Sequence, residues 1–364
     1  WHQEIEDILV LKNNKGTEDN RVRKLDYSIQ VSKIFYERFI KDEEITLFSP
    51  NNVPGLYEAF GLPEFDELYL KYENNKKISQ TKIRAQTLFM DLLKERAETG
   101  RIYIMNIDHC NTHSSFKDKV YMSNLCQEIT LPTKPVQHID DPDGEIALCI
   151  LSAINLGLIK EKDELEELCD LSVRALDEII DYQEYPVEAA KKSTEARRSL
   201  GVGYIGLAHY LAKNKVKYNN QEAWKLVDEI TEAFQYYLLK ASNQLAQEKG
   251  KCDYFDRTKY ADGILPIDTY KKDVDNIVKR KLSYDWTNLR KTIKQHGLRH
   301  STLSAQMPSE SSSVVSNATN GIEPPRDYLS VKKSKKGTLK QIVPDYNRLK
   351  NFYTLLWDMP DNEG

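Results

Sequence analysis

The sequence predicts an α/β fold, because some segments carry apolar residues at helical spacing and others carry them at strand spacing. Residues 162–182 and 222–249 place apolar side chains on one helical face, as amphipathic helices do. Residues 101–108 alternate like a half-buried strand. A continuous apolar run at 146–151 is typical of a strand buried on both faces. Further helices are predicted over residues 3–12, 27–40 and 80–98.

The composition is that of a soluble globular protein. The chain has 364 residues, 40% hydrophobic and 30% charged, which is ample for a sizeable core. No apolar run of about 18 residues occurs, so no membrane span is predicted. The net charge of −4 gives no reason to expect a nucleic-acid-binding surface. Five scattered cysteines without a CxxC pair argue against a disulfide scaffold and a structural zinc site, and they indicate a reducing, cytoplasmic setting.

The stretch YMSNLCQEITLPTKP, residues 121–135, has the side chains of a catalytic site. Asn124, Cys126 and Glu128 follow one another at every second position. In an extended segment these side chains would share one face. Ile129, Thr130 and Leu131 favour an extended segment, and Pro132 ends it. A sulfur, a carboxylate that can move protons and an orienting amide form a catalytic trio. The alternative is that the cysteine is a small buried hydrophobic residue.

Two further motifs invite a functional interpretation that their surroundings do not favour. His109, Cys110 and His113 are metal-ligating residue types at short spacing, but no fourth ligand is evident and turn residues surround them. A polar loop with structural histidines is the preferred interpretation. GVGYIG, residues 201–206, fits the dinucleotide fingerprint, but a charged, helix-like segment precedes it instead of a hydrophobic strand. Close backbone packing is the better explanation of these glycines.

Near the end of the chain, a serine-rich string and a basic turn stand out. PSESSS, residues 308–313, can present hydroxyls and consecutive backbone N–H groups to an anion. A plain helix start is the alternative, because serine also favours N-caps. Apolar segments on either side of the basic turn at 332–337 predict a β-hairpin with solvated lysines at its tip.

The string SNLCQEITLPTKP resembles the active-site loop of the large, catalytic subunit of class I ribonucleotide reductase, in its bacterial and phage branch. The resemblance covers essentially the whole chain, without an evident large insertion. It continues through GEIALC, LGLIK, RALDEIIDYQEYP, QYYLLKASN, GILPIDTYKKD, STLSAQMPSESSS, SNATNGIEPPR and LLWDMP.

The resemblance implies a ten-stranded α/β barrel, built from two five-stranded halves, with the catalytic cysteine on an internal loop. Residues 1–364 would form a partial barrel domain that lacks the N-terminal regulatory region and the C-terminal tail. An open barrel would expose apolar strands and strand edges. We therefore expect the isolated chain to be poorly soluble or to need a complementing fragment.

The resemblance also implies a reaction, the reduction of ribonucleoside diphosphates to 2′-deoxyribonucleoside diphosphates by thiyl-radical chemistry. By motif, Cys126 is the thiyl residue, Glu128 takes the proton of the 3′ hydroxyl, and Asn124 is the hydrogen-bonding amide beside it. Cys149, in GEIALC, matches one member of the reducing cysteine pair, whose partner lies outside this chain. Asn124 and Glu128 would also contact substrate, together with the residues that match the diphosphate-binding loop: Pro308, Ser309, Glu310, Ser311 and Ser312.

The implied partners are a metal-containing small subunit that supplies the radical, a thioredoxin- or glutaredoxin-type reductant, and a second large subunit in a dimer. ATP and deoxynucleotide effectors would bind the full subunit, whereas this chain itself is expected to bind no cofactor and no metal, nucleic acid or membrane. One alternative is a split-subunit or catalytically silent nucleotide-binding or assembly fragment that needs a complementing chain. Another is an adenosylcobalamin-dependent reductase, which a cobalamin requirement would reveal.

Overall fold

The chain divides into two compact units, Trp1–Thr133 and Lys134–Gly364. The computed structural model describes residues 1–334 and 337–355. The two lysines at 335 and 336 and most of the LLWDMP string lie outside the described residues. Each unit combines helices with paired strands, which confirms the predicted α/β class.

The first unit builds a small core from two strand pairs and the helices around them. Strand β1 pairs in parallel with β4, and β2 pairs antiparallel with β3. Phe48, Phe65 and Tyr69 are fully buried at the centre of its apolar cluster. The elements in chain order are α1 Ile5–Leu9, β1 Ser28–Val31, α2 Lys33–Lys41, β2 Glu44–Phe48, α3 Leu56–Ala59, α4 Phe65–Glu73, β3 Gln80–Arg84, α5 Ala85–Thr99, β4 Tyr103–Asn106 and α6 Ile107–Thr112.

Strand β4 confirms the strand predicted at 101–108, but two predicted helices of this unit begin too early. The first part of 27–40 is β1, and the first part of 80–98 is β3. In β1, Ile29 and Val31 fit a period of two as well as a helical period, and pairing with β4 decides between them. The helix predicted at 3–12 is confirmed as the shorter α1.

The second unit is organised around two long helices. Helices α7 and α10 confirm the helices predicted at 162–182 and 222–249 and pack against each other. Strand β5 pairs in parallel with β6, and β7 and β8 form the predicted antiparallel hairpin. The elements are β5 Leu151–Asn155, α7 Glu164–Tyr182, α8 Glu188–Arg197, β6 Gly201–Ile205, α9 Leu207–Lys213, α10 Gln221–Lys249, α11 Pro266–Thr269, α12 Val274–Val278, α13 Trp286–His296, α14 Glu310–Val315, β7 Leu329–Ser334, β8 Gly337–Ile342 and α15 Tyr346–Leu349.

The strand predicted at 146–151 is wrong except for its last residue, because β5 begins only at Leu151. The apolar run before it is irregular backbone, and the N–H of Ile146 donates to the carbonyl of Ala189 in α8. Within this run only Ile150 is buried, so the apolar composition predicted neither strand pairing nor burial on both faces.

The glycines of the GVGYIG segment serve close packing, as predicted. A Cβ atom at Gly203 would lie 2.3 Å from the carbonyl oxygen of Ala305, a distance that only glycine tolerates. The preceding helix α8 confirms the helix-like character of residues 191–198.

Among the described residues, every helix is too short or too polar to reach across a lipid bilayer.

Candidate active site

The segment that leads into the central motif is held by side chains of the first unit. Asn111 in α6 bonds both backbone groups of Val120: its Oδ1 accepts from the N–H at 2.8 Å, and its Nδ2 donates to the carbonyl at 3.1 Å. One residue further on, Gln30 of β1 donates to the carbonyl of Tyr121. The chain therefore enters residues 123–129, which we call the cysteine loop, from a fixed position.

The cysteine loop contains a turn, so the extended segment predicted for it is wrong. The backbone N–H and the side-chain Nε2 of Gln127 both donate to the carbonyl of Asn124, at 3.2 and 3.0 Å. Gln127 adopts a φ of 65°, in the left-handed region that closes a tight turn. The every-second-position argument for a shared face therefore does not apply to Asn124, Cys126 and Glu128.

Side chains at the base of the cysteine loop close it. The hydroxyl of Ser123 donates to the carbonyl of Ile129, and its oxygen lies 3.2 Å from Oδ1 of Asn124. The N–H of Ile129 donates to the same Oδ1 at 3.1 Å. Both backbone groups of Ile129 are thus bound across the loop, with Cys126 between the two ends.

The charge of the Glu128 carboxylate acts on the Cys126 thiol. Cys126 is solvent-accessible, yet the atoms packed around it remove part of its hydration. This desolvation raises the pKa of the Cys126 thiol, and the negative charge of Glu128 raises the pKa further. One carboxylate oxygen of Glu128, Oε2, is buried and has no hydrogen-bond partner among the described residues. The loop thus combines a thiol whose pKa is raised with a buried carboxylate oxygen that is available to accept a hydrogen bond.

Cys149 belongs to the second unit. It is exposed, and it lies two residues before β5 begins, next to the buried Ile150. The structure therefore presents this sulfur at the surface of its unit instead of in the apolar core. The core cysteines are Cys169 and Cys252, and burial raises the pKa of the Cys252 thiol to about 12.

The serine-rich string of the second unit marks the start of a short helix. Helix α14 begins at Glu310, with Ser309 at the N-cap position. The Ser309 side chain does not cap the helix; its hydroxyl donates to the carbonyl of Met307 at 3.2 Å. Ser309 is buried, whereas the other four residues of the predicted phosphate loop are exposed: Pro308, Glu310, Ser311 and Ser312.

The roles of three residues near these sites were not predicted from the sequence. Ser123 and Gln127 close the cysteine loop through hydrogen bonds that the spacing of residues in the sequence does not predict. On β7, Lys332 forms an ion pair with Glu310 at 3.2 Å. This pair places a positive charge beside Glu310, the acidic residue of the predicted phosphate loop, and only the fold of the hairpin brings the two residues together.

The histidine-rich segment around α6 contains only part of a ligand set. The rings of His109 and His113 lie 5.5 Å apart, centroid to centroid. In residues 1–334 and 337–355, no group of three or more histidine, cysteine, aspartate or glutamate side chains is arranged to hold a metal ion.

Comparison with known proteins identifies the family. Residues 1–355 match the family described as "Ribonucleotide reductase, barrel domain". The chain therefore belongs to the ribonucleotide reductase family, as its motifs predicted, and it corresponds to part of the large subunit.

Individual relatives agree with this assignment. The chain is 60% identical to the ribonucleoside-diphosphate reductase subunit alpha of Haemophilus influenzae and 58% identical to ribonucleoside-diphosphate reductase 1 subunit alpha of Escherichia coli, in both cases over its full length. It is 45% identical to the subunit alpha of Enterobacteria phage T4 over 99% of its length. The chain spans about half the length of these curated relatives, between 48% and 49%.

Proposed function

We propose that this chain carries the catalytic part of a ribonucleotide reductase large subunit, which reduces ribonucleoside diphosphates to 2′-deoxyribonucleoside diphosphates for DNA synthesis. The observation that carries this proposal is the cysteine loop, in which a thiol with a raised pKa accompanies a carboxylate whose buried oxygen lacks a partner among the described residues. The identity to reductase alpha subunits over the whole chain supports the same assignment.

In this proposal, Cys126 does hydrogen-atom chemistry. Its thiyl form removes the 3′ hydrogen atom of the substrate ribose and becomes a thiol, and it returns the hydrogen atom at the end of turnover. A raised pKa suits this role, because the S–H bond must persist in the resting site and must not ionise to thiolate. Glu128 takes the proton of the 3′ hydroxyl, and the 2′ hydroxyl then leaves as water. Asn124 donates a hydrogen bond to the ribose.

Cys149 would supply the reducing electrons together with a second cysteine outside this chain. Oxidation of the two thiols to a disulfide releases two electrons and two protons to the substrate, and exchange with an external dithiol of thioredoxin or glutaredoxin type restores them. The exposed position of Cys149 supports access by both substrate and partner thiol.

Substrate binding is assigned to the loop before α14. The hydroxyls and backbone N–H groups of Ser309, Ser311 and Ser312 would hold the diphosphate, with Pro308 shaping the loop. Glu310 would contact substrate through its backbone N–H or at the ribose, since its carboxylate is engaged by Lys332.

The remaining features of the reductase belong to the complete protein. We propose that residues 1–364 form part of a ten-stranded barrel with the cysteine loop inside it, in a dimer of large subunits that receives its radical from a metal-containing small subunit. ATP and deoxynucleotide effectors would bind outside this chain.

The proposal is tested with Cys126→Ser in the full-length large subunit, assayed with its small subunit. We expect turnover to be abolished while binding of the substrate diphosphate stays nearly intact, because the hydroxyl cannot form a comparably accessible radical. Cys110→Ser, which alters a half-buried cysteine of α6, is the control and should retain turnover. Deoxynucleotide formation by the Cys126→Ser variant would contradict the radical assignment.

A further inference from the structure

Ser123 directly precedes Asn124 and occupies the point where the cysteine loop closes. Its hydroxyl has one hydrogen, and the contact with the carbonyl of Ile129 is shorter than the 3.2 Å contact with Oδ1 of Asn124. The hydrogen therefore serves chiefly the bond to Ile129, which joins the two ends of the loop.

The closed loop determines which way the Asn124 amide faces. The N–H of Ile129 can only donate, so the amide atom 3.1 Å from it is the oxygen. The Nδ2 group, on the other side of the amide carbon, makes no hydrogen bond within the described part of the chain. This leaves two N–H donors of Asn124 for a ligand next to Cys126.

We propose that Ser123 is a positioning residue for the radical reaction. By holding Ile129 across the loop, it keeps Oδ1 of Asn124 engaged and leaves Nδ2 directed to a hydroxyl oxygen of the substrate ribose. The inference rests on the proposed function, since it names a residue that acts through Asn124 in the same site. Ser123 itself moves no proton or electron.

The size of the expected effect follows from the bond that is lost. One neutral hydrogen bond changes an equilibrium about five- to tenfold, so without the hydroxyl the loop would spend much more time open. If the Asn124 amide is displaced by even about 1 Å, it no longer orients the substrate ribose well, which lowers turnover more than binding. Substrate affinity should change little, because the Ser123 hydroxyl is bound within the loop and is not assigned to the diphosphate.

The test uses the full-length large subunit with its small subunit, a ribonucleoside diphosphate and a dithiol reductant. We expect Ser123→Ala to lower kcat about tenfold, with KM changed less than twofold. Ser123→Thr keeps the hydroxyl and should retain at least about half of the activity. In an Asn124→Ala background, Ser123→Ala should lower kcat less than about twofold, because the amide that Ser123 orients is already absent. The control is Ser114→Ala, which removes another loop hydroxyl, bonded to the N–H of Phe116 at 3.0 Å, and should leave kcat unchanged.

Three outcomes would overturn the inference. The first is an unchanged kcat in Ser123→Ala, and the second is a full tenfold loss of kcat when Ser123→Ala is added to Asn124→Ala. The third is a loss of kcat that Ser123→Thr does not restore and that accompanies a lowered Tm. Cys126→Ser, measured in parallel, distinguishes a failure of the proposed function from a failure of the role assigned to Ser123. An active Cys126→Ser variant would refute the proposed function itself, whereas an inactive one together with an unaffected Ser123→Ala variant would refute only the role of Ser123.

Discussion

Cys126 and Glu128 are two residues apart, and the turn between them brings a negative charge close enough to act on a thiol. Desolvation and then the Glu128 charge raise the pKa of Cys126, although the side chain remains accessible. The catalytic roles of these residues remain predictions, and the extended arrangement expected for them was wrong. A glutamine with a positive φ, Gln127, closes the turn, and nothing in the side chain of glutamine signals this conformation.

The coupling between these two residues predicts a change in thiol reactivity. Glu128→Gln removes the negative charge, so the pKa of Cys126 should fall and the thiolate fraction at pH 8 should rise. We expect alkylation of Cys126 by iodoacetamide, followed by peptide mass spectrometry of the full-length subunit, to become about fivefold faster, which corresponds to roughly 1 kcal/mol of removed repulsion. The curve of rate against pH should shift to lower pH.

The matched control for this change is Asp91→Asn, which removes an exposed charge from α5 that does not act on Cys126. Its alkylation curve should overlay that of the unaltered protein. A Glu128→Gln curve that also overlays it would show that the carboxylate does not govern the thiol.

At the scale of elements, helix α7 depends on one buried carboxylate. Asp177 is fully buried and accepts hydrogen bonds from Arg198 Nε at 2.6 Å, and from Arg299 Nε and His300 Nε2 at 3.2 Å each. Burial alone would raise the pKa of Asp177, but the hydrogen bonds and charges of His300 and Arg198 outweigh it and hold the pKa well below its usual range. His300 also bonds the Ser242 hydroxyl of α10 at 2.9 Å, so this network ties α7 to α10.

Removal of the Asp177 charge should loosen α7. Asp177→Asn removes the buried carboxylate partner of Arg198, which then keeps only the exposed Asp181, and loss of one member of a buried ion pair typically costs about 3–5 kcal/mol. We expect amide hydrogen exchange of α7, measured by mass spectrometry in the complete subunit at pH 7, to accelerate by about 100-fold or more. Because the pKa of Asp177 is lowered, its stabilising effect is fully present at pH 7 and is lost only as the pH falls below about 4.

A second aspartate of the same helix provides the comparison. Asp170 pairs with Arg174 on the partly exposed side of α7, where an ion pair contributes less than about 1 kcal/mol. Asp170→Asn should therefore leave the exchange of α7 nearly unchanged. Equal effects of the two substitutions would mean that the buried network does not stabilise the helix.

At the scale of the whole molecule, elements with a strong local pattern could be predicted, whereas contacts between distant parts of the sequence could not. Helices α7 and α10 were predicted correctly because each extends over many turns with a consistent apolar face. Strand β1 was missed because its partner, β4, lies far along the chain, with Ser28 paired to Tyr103. The ion pair between Glu310 and Lys332 was missed for the same reason. Local patterns do not encode such contacts.

The chain spans about half the length of the reductase alpha subunits that it matches. Ile40, Tyr182 and Val315 expose between 78% and 90% of their area, and single exposed apolar side chains of this kind are ordinary on protein surfaces. The poor solubility expected of the isolated chain remains a prediction.

The central claim is that Cys126 removes the 3′ hydrogen of a ribonucleoside diphosphate, and the most direct measurement follows that hydrogen atom. The full-length Cys149→Ser subunit, with its small subunit, is given substrate labelled with deuterium at the 3′ carbon. Abstraction transfers the label to sulfur, where it exchanges with water, and normal reduction is blocked. We predict release of label to solvent from Cys149→Ser and none from the Cys126→Ser/Cys149→Ser double variant. Label that stays on the substrate in Cys149→Ser, or that is released without Cys126, would contradict the account.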